Sequence, residues 1–399
     1  MPPSSSTSSS EGSSSAPSEA APPSAPTIST RNVLISLSLT TLVLVGIGYV
    51  TFDADVLRQM LRQVDGLILG GAVLVTLGRL GAGGWRLSFV SQGRLSLASG
   101  TRGQLAWDFF SSVTPSAIGG GPVTAFYIAR DRGITIGEAT AFMLFAMLLD
   151  QIWFLLAIPL LVVAALMLPV IPEAVGSIGL WSVLAYFGVL VVWASLFAYT
   201  MLVRPHLLER LADRCFGWRY LRRFRSRVLR EMRAFARRAE RLRAQPLSFY
   251  LKGVAITGLI WMGRYVLIYL IVRSVYAQAD GVLMVLRTAA MTLLGLIMPT
   301  PGGSGGVEGL YALLIGPLMP SALVAPTLLT WRVLGYYLFI ALGAYLFWHQ
   351  VQQRMRGEAS SLHENGTADT EVDADASRSS DPPVAAPAPA LNEADGAGV

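Results

Sequence analysis

Residues 296–311, LIMPTPGGSGGVEGLY, interrupt a long apolar run with two prolines, Pro299 and Pro301, and four closely set glycines, Gly302, Gly303, Gly305 and Gly306. A continuous helix cannot pass through this stretch, because proline lacks the amide donor and glycine gives up backbone order. Apolar residues nevertheless flank it, Val282 to Met298 before and Leu310 to Leu318 after. If both flanks enter a bilayer, the break lies at depth, where irregular backbone is tolerated only under cover of protein or beside a wet cavity. The stretch is therefore either a short turn between two complete helices or a re-entrant hairpin of half-helices of the kind transporters build around a substrate.

A second copy favours the hairpin. PSAIGGGPVTAFY, residues 115–127, parallels PTPGGSGGVEGLY, residues 299–311. Proline opens both and tyrosine closes both, with Gly119 over Gly303 and Gly121 over Gly305. Upstream, Arg79 precedes Pro115 by 36 residues and Arg264 precedes Pro299 by 35, each directly after a glycine. The two halves are thus a repeat offset by about 184 residues.

The composition sets the class. The chain is 53% hydrophobic and 14% charged, with a mean hydropathy of +0.53, which marks a polytopic membrane protein. The single cysteine, Cys215, excludes an internal disulfide. The histidines His206, His349 and His363 share no ligand spacing, so neither a metal nor another cofactor is expected. Positive charge is almost wholly arginine, Lys252 being the one lysine.

Along the chain, residues 1–31 form a Ser/Pro-rich tail expected to be disordered, without the basic start of a cleaved signal peptide. The first membrane repeat is expected over 32–203. Its spans are Val33–Thr51, Gly66–Val90 and Gly179–Val203, with one long helix over Ile134–Leu168 and the first broken element over Trp107–Tyr127. Ser91–Gly103 reads as a polar connection. Residues 204–247 carry an arginine-rich segment, with 14 arginines between Arg204 and Gln245. Leu221, Phe224, Val228, Met232, Phe235 and Leu242 recur there at helical spacing. That pattern predicts an amphipathic helix for an anionic membrane surface rather than for nucleic acid. The second repeat covers 248–350, with spans at Ser248–Val275 and Leu323–Trp348 around the broken element at Val282–Leu318. Residues 351–399 are a second low-complexity tail.

The arginine asymmetry predicts topology. Placing the basic segment in the cytoplasm puts both termini and the loop 91–133 on the same side. The fold expected is all-α, with about six spanning helices and two re-entrant Gly/Pro-broken hairpins entering from opposite faces as an inverted repeat. Inverted repeats with broken helices are the architecture of alternating access.

The motifs PTPGGSGGVEG and SAIGGGPVTAFYIARDRGI resemble the paired signatures of the flippase-like lysylphosphatidylglycerol synthase transmembrane family, over about residues 33–350. That family includes the lipid-translocating half of bacterial multiple peptide resistance factors and stand-alone relatives. Pro299, Pro301, Gly302, Gly303, Gly305 and Glu308 stand where its Pro-x-Pro-Gly-Gly-x-Gly-x-x-Glu motif places them, and Arg332 matches an arginine of its last helix. Lysyl transfer in the family belongs to a separate acyltransferase domain that follows the membrane part. The segment after Gln350 is low-complexity, so the resemblance implies the flippase-like role and not the synthase activity.

Ionisable residues within apolar runs are costly and face a cavity or a partner. The candidates are Arg79, Arg86, Asp150, Arg264, Arg332 and Glu308, with Asp108 and Arg287 nearer the edges. Arg79, Arg264, Arg332, Asp150 and Glu308, with the motif residues Gly119, Gly121, Pro299, Pro301, Gly302, Gly303 and Gly305, form the candidate substrate site. Two carboxylates cannot neutralise all these arginines, and an uncompensated guanidinium suits a phosphate. Asp150 and Glu308 also admit a purely structural reading as partners of two of the arginines. No nucleophile, base and orienting group fall together and no phosphate loop is present, so an enzyme is not expected. The function expected is movement of an anionic lipid, phospholipid or polyprenyl-phosphate-linked, between leaflets of the cell membrane. The alternative is a non-transporting scaffold for a lipid-modifying or cell-envelope enzyme. Partners expected are membrane lipids, with a second copy or an envelope enzyme as protein candidates.

Overall fold

The computed structural model describes residues 55, 58, 62, 64–113, 120–202, 225–298, 300, 302–346 and 348. Every element among them is helical. We number the helices α1 (Gly66–Val90), α2 (Leu97–Val113), α3 (Gly120–Arg132), α4 (Ile136–Met167), α5 (Gly176–Leu202), α6 (Arg225–Arg243), α7 (Leu247–Arg273), α8 (Gly281–Gly295), α9 (Gly306–Leu314) and α10 (Val324–Arg332). The first compact unit ends at Ile340; in the second, Ala341–Val399, residues 341–346 and 348 are helical.

Five helical runs are long and apolar enough to cross a membrane: Gly66–Val90, Ile136–Met167, Glu173–Met201, Leu247–Arg273 and Ser321–Leu346. Each agrees with an expected span to within a few residues, and the protein is a polytopic membrane protein. The expected span Val33–Thr51, the two tails, residues 204–224 and Cys215 lie outside the described residues.

The centre of the fold is the seam between α1 and α7, which run antiparallel. Asp65 N donates to the Ser274 carbonyl at 2.8 Å, joining the start of α1 to the end of α7. Ala72 then packs with Leu267 and Ile271, Ala82 with Ile256 and Ile260, and Phe89 stacks on Phe249 at 4.5 Å. Midway, Gly263 sits against Val75 and Arg79; a Cβ there would lie 3.8 Å from that of Arg79. The Gly-Arg steps of the two repeats therefore meet near the crossing. Asp65 starts α1 cleanly by accepting from the amides of Leu67 and Ile68.

Helix α2 starts at Leu97, inside the stretch expected to be a polar connection. The reason is packing. Hydrocarbon does not drive helices together, so association in lipid depends on close backbone approach through small residues. A Cβ on Gly84 would run into Thr101, and one on Gly100 would run into the Gly84 carbonyl. Glycine and serine here make a seam with α1, and their low hydropathy conceals the helix.

Both broken elements are antiparallel helical hairpins. In the first, Gly120 comes down on Ser111 and Trp107, while Gly103 faces Ile128 at the other end. In the second, Gly295 lies opposite Val307, and Arg287 Nη1 donates to the Leu314 carbonyl at 2.9 Å. Arg287 also donates from Nη2 to Pro169 O at 2.7 Å, so it ties the hairpin to the loop after α4. Helix α8 has 15 residues and α9 only 9.

Around these, α4 is one helix of 32 residues with Pro159 inside, as expected. An apolar cluster of Phe154, Ile158, Phe187, Trp261 and Leu293 joins α4, α5, α7 and α8. Helix α5 leaves most of its length exposed, Trp181, Val192 and Leu196 among it.

Helix α6 departs from the expectation. The described end of its apolar stripe packs within the protein: Phe235 and Leu242 are sealed against the chain itself, 1% and 0% exposed. The contact with α4 is close enough that a Cβ on Gly137 would strike the Glu231 carbonyl. Glu231 Oε2 accepts from Gly137 N at 2.7 Å and supplies negative charge at the N-terminus of α4. Arg238 Nη2 donates to the Ser91 carbonyl at 2.6 Å, with its guanidinium over Phe142. Burial pulls the Arg238 guanidinium below its ordinary range, Glu138 opposing and Arg94 and Arg241 adding to the effect. A stripe at helical spacing specifies an apolar partner and not its identity; a helix of this chain reaches it first. The remaining face, Arg230, Arg233, Arg237, Arg241 and Arg243, is exposed.

Candidate substrate cavity

Both hairpins border one cavity of about 160 Å³. Its polar walls come from α1 (Arg79), α2 (Asp108, Ser111, Ser112), α7 (Arg264), α8 (Thr292) and the last helical run (Arg332, Tyr336). The glycine turn contributes Gly302 and Gly303, and Trp331 and Phe339 add aromatic faces.

The repeat is visible in this lining. At its spacing of 184 or 185 residues, Arg79 corresponds to Arg264, Asp108 to Thr292, Ser111 to Gly295 and Ser112 to Leu296, and all eight residues line the cavity.

Three guanidiniums are held here, by different means. Arg332 is paired: its Nη2 stands 2.6 Å from Glu308 Oε1. The angles at that contact are not those of a hydrogen bond, so the pair is a charge contact, and Arg332 Nε has no partner either. Glu308 Oε2 accepts from Gly305 N at 2.7 Å, which caps α9 and fixes the carboxylate on the glycine turn. Arg79 is 7% exposed, with its guanidinium 4.6 Å above the Phe339 ring. Arg264 is half-buried, with its guanidinium 4.9 Å above Trp261. Neither Arg79 nor Arg264 makes an ion pair or side-chain hydrogen bond among the described residues. Aromatic faces help to hold a guanidinium in place and leave its N–H edge free for a planar anion.

Local conformation explains the glycines. Gly302, Gly303 and Gly305 have φ of +60°, +69° and +88°, the left-handed region that side chains avoid. A Cβ on Gly302 would also meet the ring of Tyr336. Tyr336 lies in a π-helical turn, Val333–Tyr337, directly after Arg332. Its hydroxyl donates to the Ser112 carbonyl at 3.3 Å. One tyrosine thus touches the end of the first hairpin's outgoing helix and the glycine turn of the second. Such π turns recur at functional sites.

The structure brings together Arg79, Arg264, Arg332, Gly302 and Gly303, with Glu308 and Gly305 directly behind them. Two expected site residues stand elsewhere. Asp150 does not line the cavity: its Oδ1 accepts from Arg86 Nη1 at 2.6 Å and from Trp261 Nε1 at 2.9 Å. That pair ties α1, α4 and α7, the structural reading of this carboxylate. Gly121 also misses the cavity; a Cβ there would press on Met147 and Trp107 at 3.2 Å, so the position serves helix packing. Gly119, Pro299 and Pro301 lie outside the described residues. Asp108 is the lining residue that the sequence left at the edge, and its Oδ2 is buried without a hydrogen-bond partner among the described residues. The signal available for it was its correspondence with Thr292 in the second half. Tyr336, Trp331 and Phe339 had no such signal.

A family profile described as the lysylphosphatidylglycerol synthase TM region matches residues 33–343. Among curated proteins, the chain is similar to a "UPF0104 membrane protein" of Archaeoglobus fulgidus, at 22% identity over 267 residues, covering 65% of this chain and 76% of the relative.

Proposed function

The chain belongs to the lysylphosphatidylglycerol synthase TM region family, and from that premise we propose that it moves an anionic lipid between membrane leaflets without catalysing a covalent reaction. The observation that carries this reading is the pair Arg79 and Arg264. Two guanidiniums that make no ion pair among the described residues face one cavity bordered by both broken hairpins. A buried cation costs free energy unless something answers it. A phosphate group, accepting from both forks, is the ligand that fits.

The antiparallel crossing of α1 and α7 supports an inverted repeat, with the two hairpins re-entrant from opposite faces and a pseudo-two-fold axis near Gly263. In that arrangement the cavity opens to one side at a time and the phosphate passes between Arg79 and Arg264, while the acyl chains stay in lipid. The arginine-rich segment belongs on the cytoplasmic side of the cell membrane, as do both termini.

A leaflet-resolved assay in proteoliposomes, with labelled phosphatidylglycerol or a polyprenyl phosphate, tests the reading. Wild-type protein should equilibrate the lipid, and Arg264→Gln should cut the rate about ten- to a hundredfold, the worth of a charge-assisted contact. Arg264→Lys should fall between, because it keeps the charge and loses the planar fork. Full movement by a folded Arg79→Gln, Arg264→Gln double variant would sink the proposal.

The exposed arginine row of α6 favours a second reading, a scaffold that holds an acidic partner at the inner surface. Neutralising that row should leave lipid movement intact under the first reading and abolish function under the second.

A further inference from the structure

The two halves of the cavity are not electrically equal. Asp108 on α2 and Thr292 on α8 occupy corresponding positions, so one half carries a carboxylate where the other carries a hydroxyl. Among the described residues, the buried Asp108 Oδ2 accepts no hydrogen bond, and the buried Ser111 Oγ one turn along also lacks a partner. Gly83 packs against Gln104 and Gly84 against Thr101 where α1 and α2 run antiparallel, so one turn further along that seam Arg79 and Asp108 stand at the same level, both lining the cavity. The other charged or titratable groups lining the cavity with Asp108 are Arg264 on α7 and Arg332 and Tyr336 on the last helical run. Arg332 is already engaged by Glu308. On α8 the lining is uncharged, with Met291, Thr292 and Gly295, and among the described residues α3 contributes none.

Resting on the anionic-lipid reading above, we propose that Asp108 is an internal competitor for Arg79: it screens that guanidinium, so that Arg264 captures the phosphate and Arg79 holds it only weakly. The physical reason is that a site which must release its ligand to both sides gains nothing from two equally strong anchors. Two unscreened guanidiniums on one phosphate would bind it tightly in the middle and slow its exit. A fixed carboxylate beside one of them lowers that affinity without removing the charge the phosphate needs in passing. Asp108 then contributes a weakening of binding, and its removal should strengthen binding rather than weaken it. A residue placed only for stability gives the opposite sign or none.

The test uses the full chain in nanodiscs of neutral lipid, titrated calorimetrically with dihexanoyl phosphatidic acid in one arm and inorganic phosphate in the other. Asp108→Asn should bind roughly tenfold tighter than wild type, the scale of one charge-assisted contact. Asp108→Thr, which copies the second half, should do the same and serves if the asparagine variant does not fold. Arg264→Gln should lose binding, and adding Asp108→Asn to it should restore binding by freeing Arg79. Tightening in the lipid arm supports the proposal. Tightening confined to inorganic phosphate keeps Asp108 as competitor and overturns the lipid reading beneath it. Asp108 variants that bind like wild type, or a double variant no better than Arg264→Gln, overturn the proposal while the lipid reading stands. Wild-type protein that binds neither probe overturns both.

Discussion

Arg332 Nη2 stands 2.6 Å from Glu308 Oε1, with the two side chains 4% and 0% exposed. The contact joins the last helical run to the glycine turn of the second hairpin. Removing one member strands the other as a buried charge, which costs about 3–5 kcal/mol. Glu308→Gln should therefore lower the thermal midpoint of the purified protein in detergent. Glu308→Gln with Arg332→Gln should recover part of that loss, since neither residue then carries charge. A Glu308→Gln protein as stable as wild type would contradict the pairing.

Asp150 makes a second buried pair, with Arg86, and Trp261 donates to the same oxygen. Asp150→Asn should lower folded yield and thermal stability, by about 3 kcal/mol or more. It should leave phosphate binding by the folded fraction at the wild-type level. Normal stability combined with lost binding would return Asp150 to the cavity.

Gly302→Ala meets two obstacles, a φ of +60° and the Tyr336 ring. The left-handed conformation alone costs an alanine roughly 1–2 kcal/mol. The variant should fold and lose most lipid movement. Adding Tyr336→Leu should relieve the collision and leave the backbone cost, so movement should return only in part. Wild-type rates from Gly302→Ala would show that the turn tolerates a side chain.

Phe235 and Arg237 sit on opposite faces of α6. Phe235→Ala should destabilise the protein by about 3–5 kcal/mol, the cost of opening a packed aromatic site. Arg237→Gln, on the exposed row, should change stability by about 0.5 kcal/mol or less. Equal, small effects at both positions would mean that the stripe is not packed on α4.

What the sequence made legible was whatever stands out against an apolar background. The break at residues 299–306 and the charges at Arg79, Arg264 and Arg332 are anomalies within hydrocarbon-compatible runs, so their presence alone points to a site. Pairing is different in kind. That Asp150 belongs to Arg86 and Glu308 to Arg332 depends on which helices neighbour one another, and no local pattern encodes that. Helix α2 stayed hidden because a glycine-rich seam lowers hydropathy while it permits close packing. The stripe on α6 was legible as apolar, while the packing of Phe235 and Leu242 within the chain was not. Asp108 was discounted for its distance from the centre of its run, a linear measure that a hairpin folds back on itself.

The short second arm of the hairpin has an electrical consequence. Nine residues of α9 rise about 14 Å, roughly half of a 30 Å hydrocarbon core. If the hairpin is re-entrant, as proposed above, the membrane voltage falls over a barrier thinned on the side of that short arm rather than over the full bilayer. A unit charge crossing that drop exchanges about 2.3 kcal/mol per 100 mV. In a cell held negative inside, an anionic headgroup leaving the cavity outward runs down the voltage, and one drawn inward climbs it. On the anionic-lipid reading proposed above, the polarity of the membrane would then bias the direction of movement.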